Sequence, residues 1–312
     1  MRFRLVSVVA VVIVAAAVLV AVSRLVSGGA GALPTTPASY LGVYESGALT
    51  NYQLVNNFTG AAGKQPNLVG YYSGWNEPFQ TSFAETASKH GAATIMQWDP
   101  TDISVSQIAA GDYDAYLRSF AGSVRHFGHP VVIGFGHEMN ANWYSWGYHQ
   151  LPPATFVAAW QHIVTLFRQE GADNVTWLWT LQADQSATGP VASWWPGATY
   201  VSWVGIDGYY RHPSDTFASV FGKTINQVRA FTDKPVLLSE TAVGPEAGQF
   251  VKIPDLFHGM ALFNTLGLVW FDKDQQGVAD GGQDWRVEGN FQAEVQFKLG
   301  ISEDLAPESP GG

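Results

Sequence analysis

Cysteine is absent from the 312 residues, which removes disulfides, thiolate metal sites and a cysteine nucleophile from consideration. Charge is scarce: Asp, Glu, Lys and Arg make up 13% of the chain against 46% hydrophobic residues, enough apolar surface for a large core. Basic residues are the scarcer kind, 16 against 26 acidic, so a net charge of −10 with no dense Lys/Arg run argues against a nucleic-acid partner. Familiar motifs are missing too. No Walker-type phosphate loop occurs, no Ser nucleophile elbow sits between strand and helix, and Met139 stands where a dinucleotide fingerprint begun by Gly134 and Gly136 needs its third glycine. A zinc-peptidase helix needs a second His four residues after His137, and position 141 is Ala. His90, His126, His129, His149 and His162 fall on helix and loop patterns and read as surface or capping residues. Neither a metal nor a cofactor is expected.

What is present begins with an export signal. Arg2 and Arg4 precede an apolar run from Leu5 to Val22 broken only by Ser7. As a helix those residues span roughly 27 Å, just under the bilayer hydrocarbon thickness of about 30 Å, which fits a long signal peptide or a short anchor. Ala30-Gly-Ala32 offers small residues for cleavage, whereas Arg24 resembles the flank of an anchor. Residues 1–27 are therefore expected to be a signal peptide or membrane anchor and 28–39 a Gly/Ala/Pro/Thr linker. The folded domain is expected over 40–301, followed by a disordered tail at 302–312. Either fate of the N-terminus places the body outside the cytoplasm, secreted or held at the membrane's outer face, as an expected monomer touching membrane only through that segment.

Eight short β-type runs alternate with helical patterns. Strands are predicted at 40–44, 68–72, 93–98, 131–135, 175–180, 201–206, 235–239 and 266–271. Between them, Tyr113–Phe127 and Ala154–Gln169 carry apolar residues at three-to-four spacing and end before Gly128 and Gly171. Consecutively apolar strands separated by helices imply a parallel sheet covered on both faces, and eight units suit a closed (β/α)8 barrel of α/β class. A doubly wound open sheet is the rival arrangement.

A barrel gathers its chemistry at the carboxyl ends of its strands. Trp75, Trp98-Asp99, His137-Glu138, Trp179 to Gln182, Asp207 to Tyr210, Glu240 and Trp270 to Asp272 all fall there. Flat aromatic faces suit sugar rings, so Trp75, Trp98, Trp143, Trp179 and Trp270 are candidates to line a polymer groove; each could equally pack beneath a helix. Glycoside hydrolysis with retention needs an acid for the leaving oxygen and a carboxylate for the anomeric carbon, about 5 to 5.5 Å apart. Glu138 and Glu240, after strands four and seven, can supply that pair. The plainer alternative for either is a structural ion pair or a solvated rim residue.

His137-Glu138-Met-Asn140 followed by Trp143-Tyr-Ser-Trp146-Gly resembles the acid/base signature of glycoside hydrolase family 26, and the similarity extends from Leu41-Gly-Val-Tyr44 to Asp284-Trp285-Arg286. The resemblance implies a retaining (β/α)8 glycosidase with Glu138 as acid/base and Glu240 as nucleophile. It further implies that His137 orders the nucleophile and sugar hydroxyls, that Trp143 lines the leaving-group side, and that Tyr209 hydrogen-bonds Glu240; adjacent Tyr210 keeps that last choice open. Ala141 stands where many members carry Gly, and Tyr144-Ser-Trp146 departs from the bulkier aromatic run of mannan-cleaving members. The expected activity is endo-hydrolysis of a β-linked polysaccharide, β-1,4-mannan first, with mixed-linkage β-glucan or β-1,3-xylan as alternatives. A non-catalytic carbohydrate-binding envelope protein is the competing class.

Overall fold

In the computed structural model, residues 32–183, 188–244, 248–277 and 282–305 are described. Eight parallel strands close into a barrel in chain order: β1 (Tyr40–Glu45), β2 (Leu68–Gly74), β3 (Ala93–Asp99), β4 (Val131–Phe135), β5 (Val175–Gln182), β6 (Trp203–Tyr210), β7 (Val236–Val243) and β8 (Gly267–Asp272). The ring shuts where Tyr40 to Glu45 pair with Gly267 to Asp272. All eight predicted strands are present, and the open-sheet rival is excluded. The helices are α1 (Gln53–Ala62), α2 (Thr81–Lys89), α3 (Val105–Ala110), α4 (Asp114–Phe127), α5 (Pro153–Gln169), α6 (Lys223–Arg229), α7 (Gln249–Leu262) and α8 (Phe291–Asp304). Between β5 and β6 the described residues hold only a 3-10 turn, Val191–Trp194, in place of an α-helix.

Side chains on a barrel strand alternate between the interior and the helix layer. The alternation sorts the apolar residues into two clusters. Tyr40, Leu68, Ile95, Val132, Leu178 and Trp203 belong to the set that fills the lower interior. The larger cluster lies between strands and helices; α4 contributes Leu117, Phe120, Ala121 and Val124 to it, one face of the pattern seen in the sequence.

Two predicted boundaries move. The segment expected as a linker to residue 39 is packed from Leu33 onward: Leu33 joins the interior apolar cluster, the Tyr40 hydroxyl donates to Pro34 O at 2.8 Å, and Ala38 N donates to Thr265 O. Its apolar residue closes the barrel floor, which a composition rich in Gly, Ala and Pro concealed. At the other end α8 runs to Asp304, so residues 302–304 are helical rather than a disordered tail; burial of Ile301 and Leu305 holds the last turn. The expected signal or anchor at 1–27 and the tail from 306 lie outside the described residues. Among the described residues no helix is long and apolar enough to cross a membrane.

Candidate active site

The carboxyl ends of the strands open into a cavity of about 650 Å³ lined by residues from around the barrel, Glu138 and Glu240 among them. Each arrives by a departure from regular backbone. After β4 the chain leaves the sheet through Gly136 at φ 55°, and Glu138 itself lies at φ 54°, a left-handed conformation that side chains with a Cβ rarely adopt. Backbone bonds fix it there: Glu138 N donates to Thr180 O and Ala141 N donates to Glu138 O, both at 2.9 Å. Trp146 packs beneath, its indole N–H donating to His137 O at 2.9 Å. The Trp143 indole, 46% exposed, donates to Glu138 Oε2 at 2.7 Å and so fixes one carboxyl oxygen.

Across the cavity the Tyr209 hydroxyl donates to Glu240 Oε1. Tyr210 points the other way, into the helix layer, where its hydroxyl donates to Asp255 Oδ2 at 2.9 Å. Alternation along β6 thus settles which tyrosine serves the nucleophile candidate. Arg211 lies over the rings of Tyr209 and Trp285, its Cζ 5.1 and 5.5 Å from their centroids.

Burial is the largest influence on both acids. It raises the Glu138 carboxyl, and the His137 charge and the Trp143 hydrogen bond work against it. Glu240 is lifted to about 8 by burial, with Lys273 pulling down. Desolvation outweighs charge at both carboxyls. Burial pushes the His137 ring down, but the charge and hydrogen bond of Asp99, joined by Glu138 and Asp207, carry it up to about 9.

His137 does not hydrogen-bond Glu240. Its Nδ1 meets Asp99 Oδ1 at 2.7 Å and its Nε2 the Tyr144 hydroxyl at 3.1 Å, so both ring nitrogens are taken and the residue braces a cavity wall. That corrects the expected ordering of the nucleophile, while His137 remains within the lining.

Four of the five tryptophans expected in the groove are elsewhere. Trp75 stacks on Trp98 at 4.9 Å and Trp98 on Phe120 at 4.4 Å, under α4. Trp179 packs against Trp195 and Phe231, and Trp270 against Phe297 with its indole N–H donating to Trp285 O. All four are buried and none lines the cavity. The reason is strand parity: Trp98, Trp179 and Trp270 occupy outward positions, alternating with Gln97 and Asp99, with Thr180 and with Phe271. The same alternation would have found residues that motif reading missed. Asp99 and Phe271 are next to outward tryptophans and therefore face in, and Tyr44, Tyr72 and Gln182 keep step with them. Tyr44 stacks on Phe271 at 5.0 Å with Tyr72 at its edge, an aromatic wall made by β1, β2 and β8. Tyr144, Arg211 and Gln275 come from loops and left no periodic signal.

The arrangement can hold a flat polar ring between aromatic faces with a carboxyl at each side, Glu138 buried and Glu240 partly buried. Among the described residues there is no group of His, Asp and Glu placed to hold a metal ion.

Comparison with known proteins matches this geometry to a family. Endoglucanase H of Acetivibrio thermocellus is 25% identical over 264 residues, covering 79% of this chain and 29% of that protein. β-1,3-Xylanase TXYA of Vibrio sp is 23% identical over 213 residues, covering 68% and 41%. The chain thus spans less than half the length of either. Among solved structures, the Bacillus subtilis mannanase BCman superposes with a TM-score of 0.63 at 17% identity, covering 87% of each chain, a likeness of fold. The description of glycosyl hydrolase family 26 matches residues 64–271, more than half of the chain and every strand from β2 to β7. The chain belongs to glycosyl hydrolase family 26.

Proposed function

We propose that this chain is a retaining endo-β-glycanase in which Glu240 is the nucleophile and Glu138 the acid/base. The observation that carries the reading is that two carboxyls, buried Glu138 from strand end four and partly buried Glu240 from strand end seven, enter one cavity, each held by an N–H or O–H donor. In the first step Glu240 attacks the anomeric carbon while Glu138 gives its proton to the departing oxygen. Esterification removes the Glu240 charge. Glu138, now a carboxylate, takes a proton from water, which attacks the same carbon and releases the sugar with its configuration retained.

Two polymer backbones lead. β-1,4-Mannan comes first on its frequency as a substrate in the family; β-glucan is supported by the departure of Tyr144-Ser-Trp146 from mannan-cleaving members and by the match to a protein named endoglucanase H across 79% of the chain. The test is release of reducing ends from β-mannan, barley mixed-linkage β-glucan and β-1,3-xylan, with product analysis, beside pull-down on the same polymers. Binding without cleavage of any of them would replace this reading with a carbohydrate-binding role. The enzyme is proposed to act outside the cytoplasm, and cell fractionation with the N-terminal mass of the isolated protein tests both export and removal of the leading segment.

A further inference from the structure

On a regular β7, Glu240 would not reach the cavity. Asp207 and Tyr209 point inward on β6, and Leu237, paired with Gly205, lies in the interior apolar layer. Strict alternation from Leu237 would bring Ser239 inward and send Glu240 out beneath the helices. Instead Gly205 faces Leu237 while Asp207 faces Glu240, three steps along β7 against two along β6. The same jump recurs on the other side, between the pairs Leu238–Leu268 and Thr241–Trp270. The additional residue therefore belongs to β7. A bulge at Leu238–Ser239 turns Ser239 and Glu240 toward the same side.

Ser239 is tied down. Its hydroxyl donates to Asp207 Oδ1 at 2.6 Å, and both side chains are buried. Room for the hydroxyl exists because residue 205 is glycine: a Cβ there would lie 2.5 Å from Ser239 Oγ and 2.7 Å from Thr180 Oγ1. Asp207 does not line the cavity, and its Oδ2 is buried with no hydrogen-bond partner, so the carboxyl sits below the reacting groups. The geometry points to Ser239 as a positioning residue, whose hydrogen bond to Asp207 locks the β7 bulge and thereby aims Glu240 at the anomeric carbon. This rests on the proposed role of Glu240 as nucleophile.

Ser239→Ala removes one oxygen and almost no packing, and an unchanged Tm confirms its fold. Its kcat on aryl β-glycosides is expected to fall roughly three- to tenfold, the scale of one hydrogen bond. KM should stay within about twofold, and the loss should be equal for good and poor leaving groups, because attack rather than proton donation is impaired. Asp207→Ala should lose at least as much, Asp207→Asn less because its amide oxygen still accepts the hydroxyl. The double variant Ser239→Ala/Asp207→Ala should be no worse than Asp207→Ala alone, to within about twofold. Wild-type turnover in Ser239→Ala, a loss confined to KM, or losses that multiply in the double variant would overturn the assignment. Glu240→Ala assayed in parallel separates the two claims. If it stays active, the nucleophile assignment fails; if it is dead while Ser239→Ala is fully active, only the positioning role fails.

Discussion

The strand ends that deliver Glu138 and Glu240 reach the same cavity by opposite devices. Behind Glu138 the chain has already left the sheet, and a left-handed residue turns the side chain inward. Glu240 is still within β7, and a register jump does the turning. Their donors differ in the same sense: Trp143 is a half-open loop residue, whereas Tyr209 belongs to the neighbouring strand. The proposed acid/base, which would meet two different oxygens in turn, stands on an irregular loop, and the proposed nucleophile, which would meet one carbon, is built into the sheet. Backbone irregularity is placed where a side chain has to break strand parity.

The comparison breaks most sharply at Glu240. Glu240→Ala should lower turnover by several orders of magnitude, and added azide should restore cleavage of an activated aryl glycoside with inverted configuration; normal activity would remove the nucleophile assignment. Glu138→Ala should cost about 10²- to 10⁴-fold on poor leaving groups and far less on good ones. An equal loss on both would contradict an acid role.

Smaller changes sharpen it. Tyr209→Phe removes a hydrogen bond to the charged form of Glu240, so that carboxyl should rise and the acidic limb of the rate profile should move to higher pH. Trp143→Phe does the same to Glu138, but there it is the alkaline limb that should move up, since Glu138 must be protonated. Turnover at the optimum should drop by about tenfold or less in each, on the scale of one hydrogen bond. A separate effect is on stability. Glu240, raised to about 8 from 4.5, keeps in the folded state a proton that the unfolded chain has released, so stability should fall as pH rises from about 4.5 to 8. His137, raised from 6.5 to about 9, acts in the same direction over the higher part of that range. Glu240→Gln should flatten the decline in Tm across pH 5 to 8, measured by thermal unfolding.

Much of the site was legible because chemistry and position coincide in the chain. His137, Glu138 and Trp143 lie within one short motif, and Glu240 ends a short apolar run. The groove tryptophans were misplaced because large aromatics are indistinguishable by composition on the two faces of a covered strand. Trp98 on the outward face and Asp99 on the inward face differ by one residue, and only pairing with β2 and β4 fixes that phase. The role expected of His137 failed for a related reason: its partner Asp99 lies 38 residues earlier, and nothing local announces the contact.

The sequence by itself determined the eight strand-and-helix units, the family, and the two acids at strand ends, because hydrophobic periodicity and a contiguous motif are local properties. Tertiary structure alone decided which side chains enter the cavity. Facing direction depends on register between strands distant in the chain, and at β7 a single additional residue reverses it for Glu240.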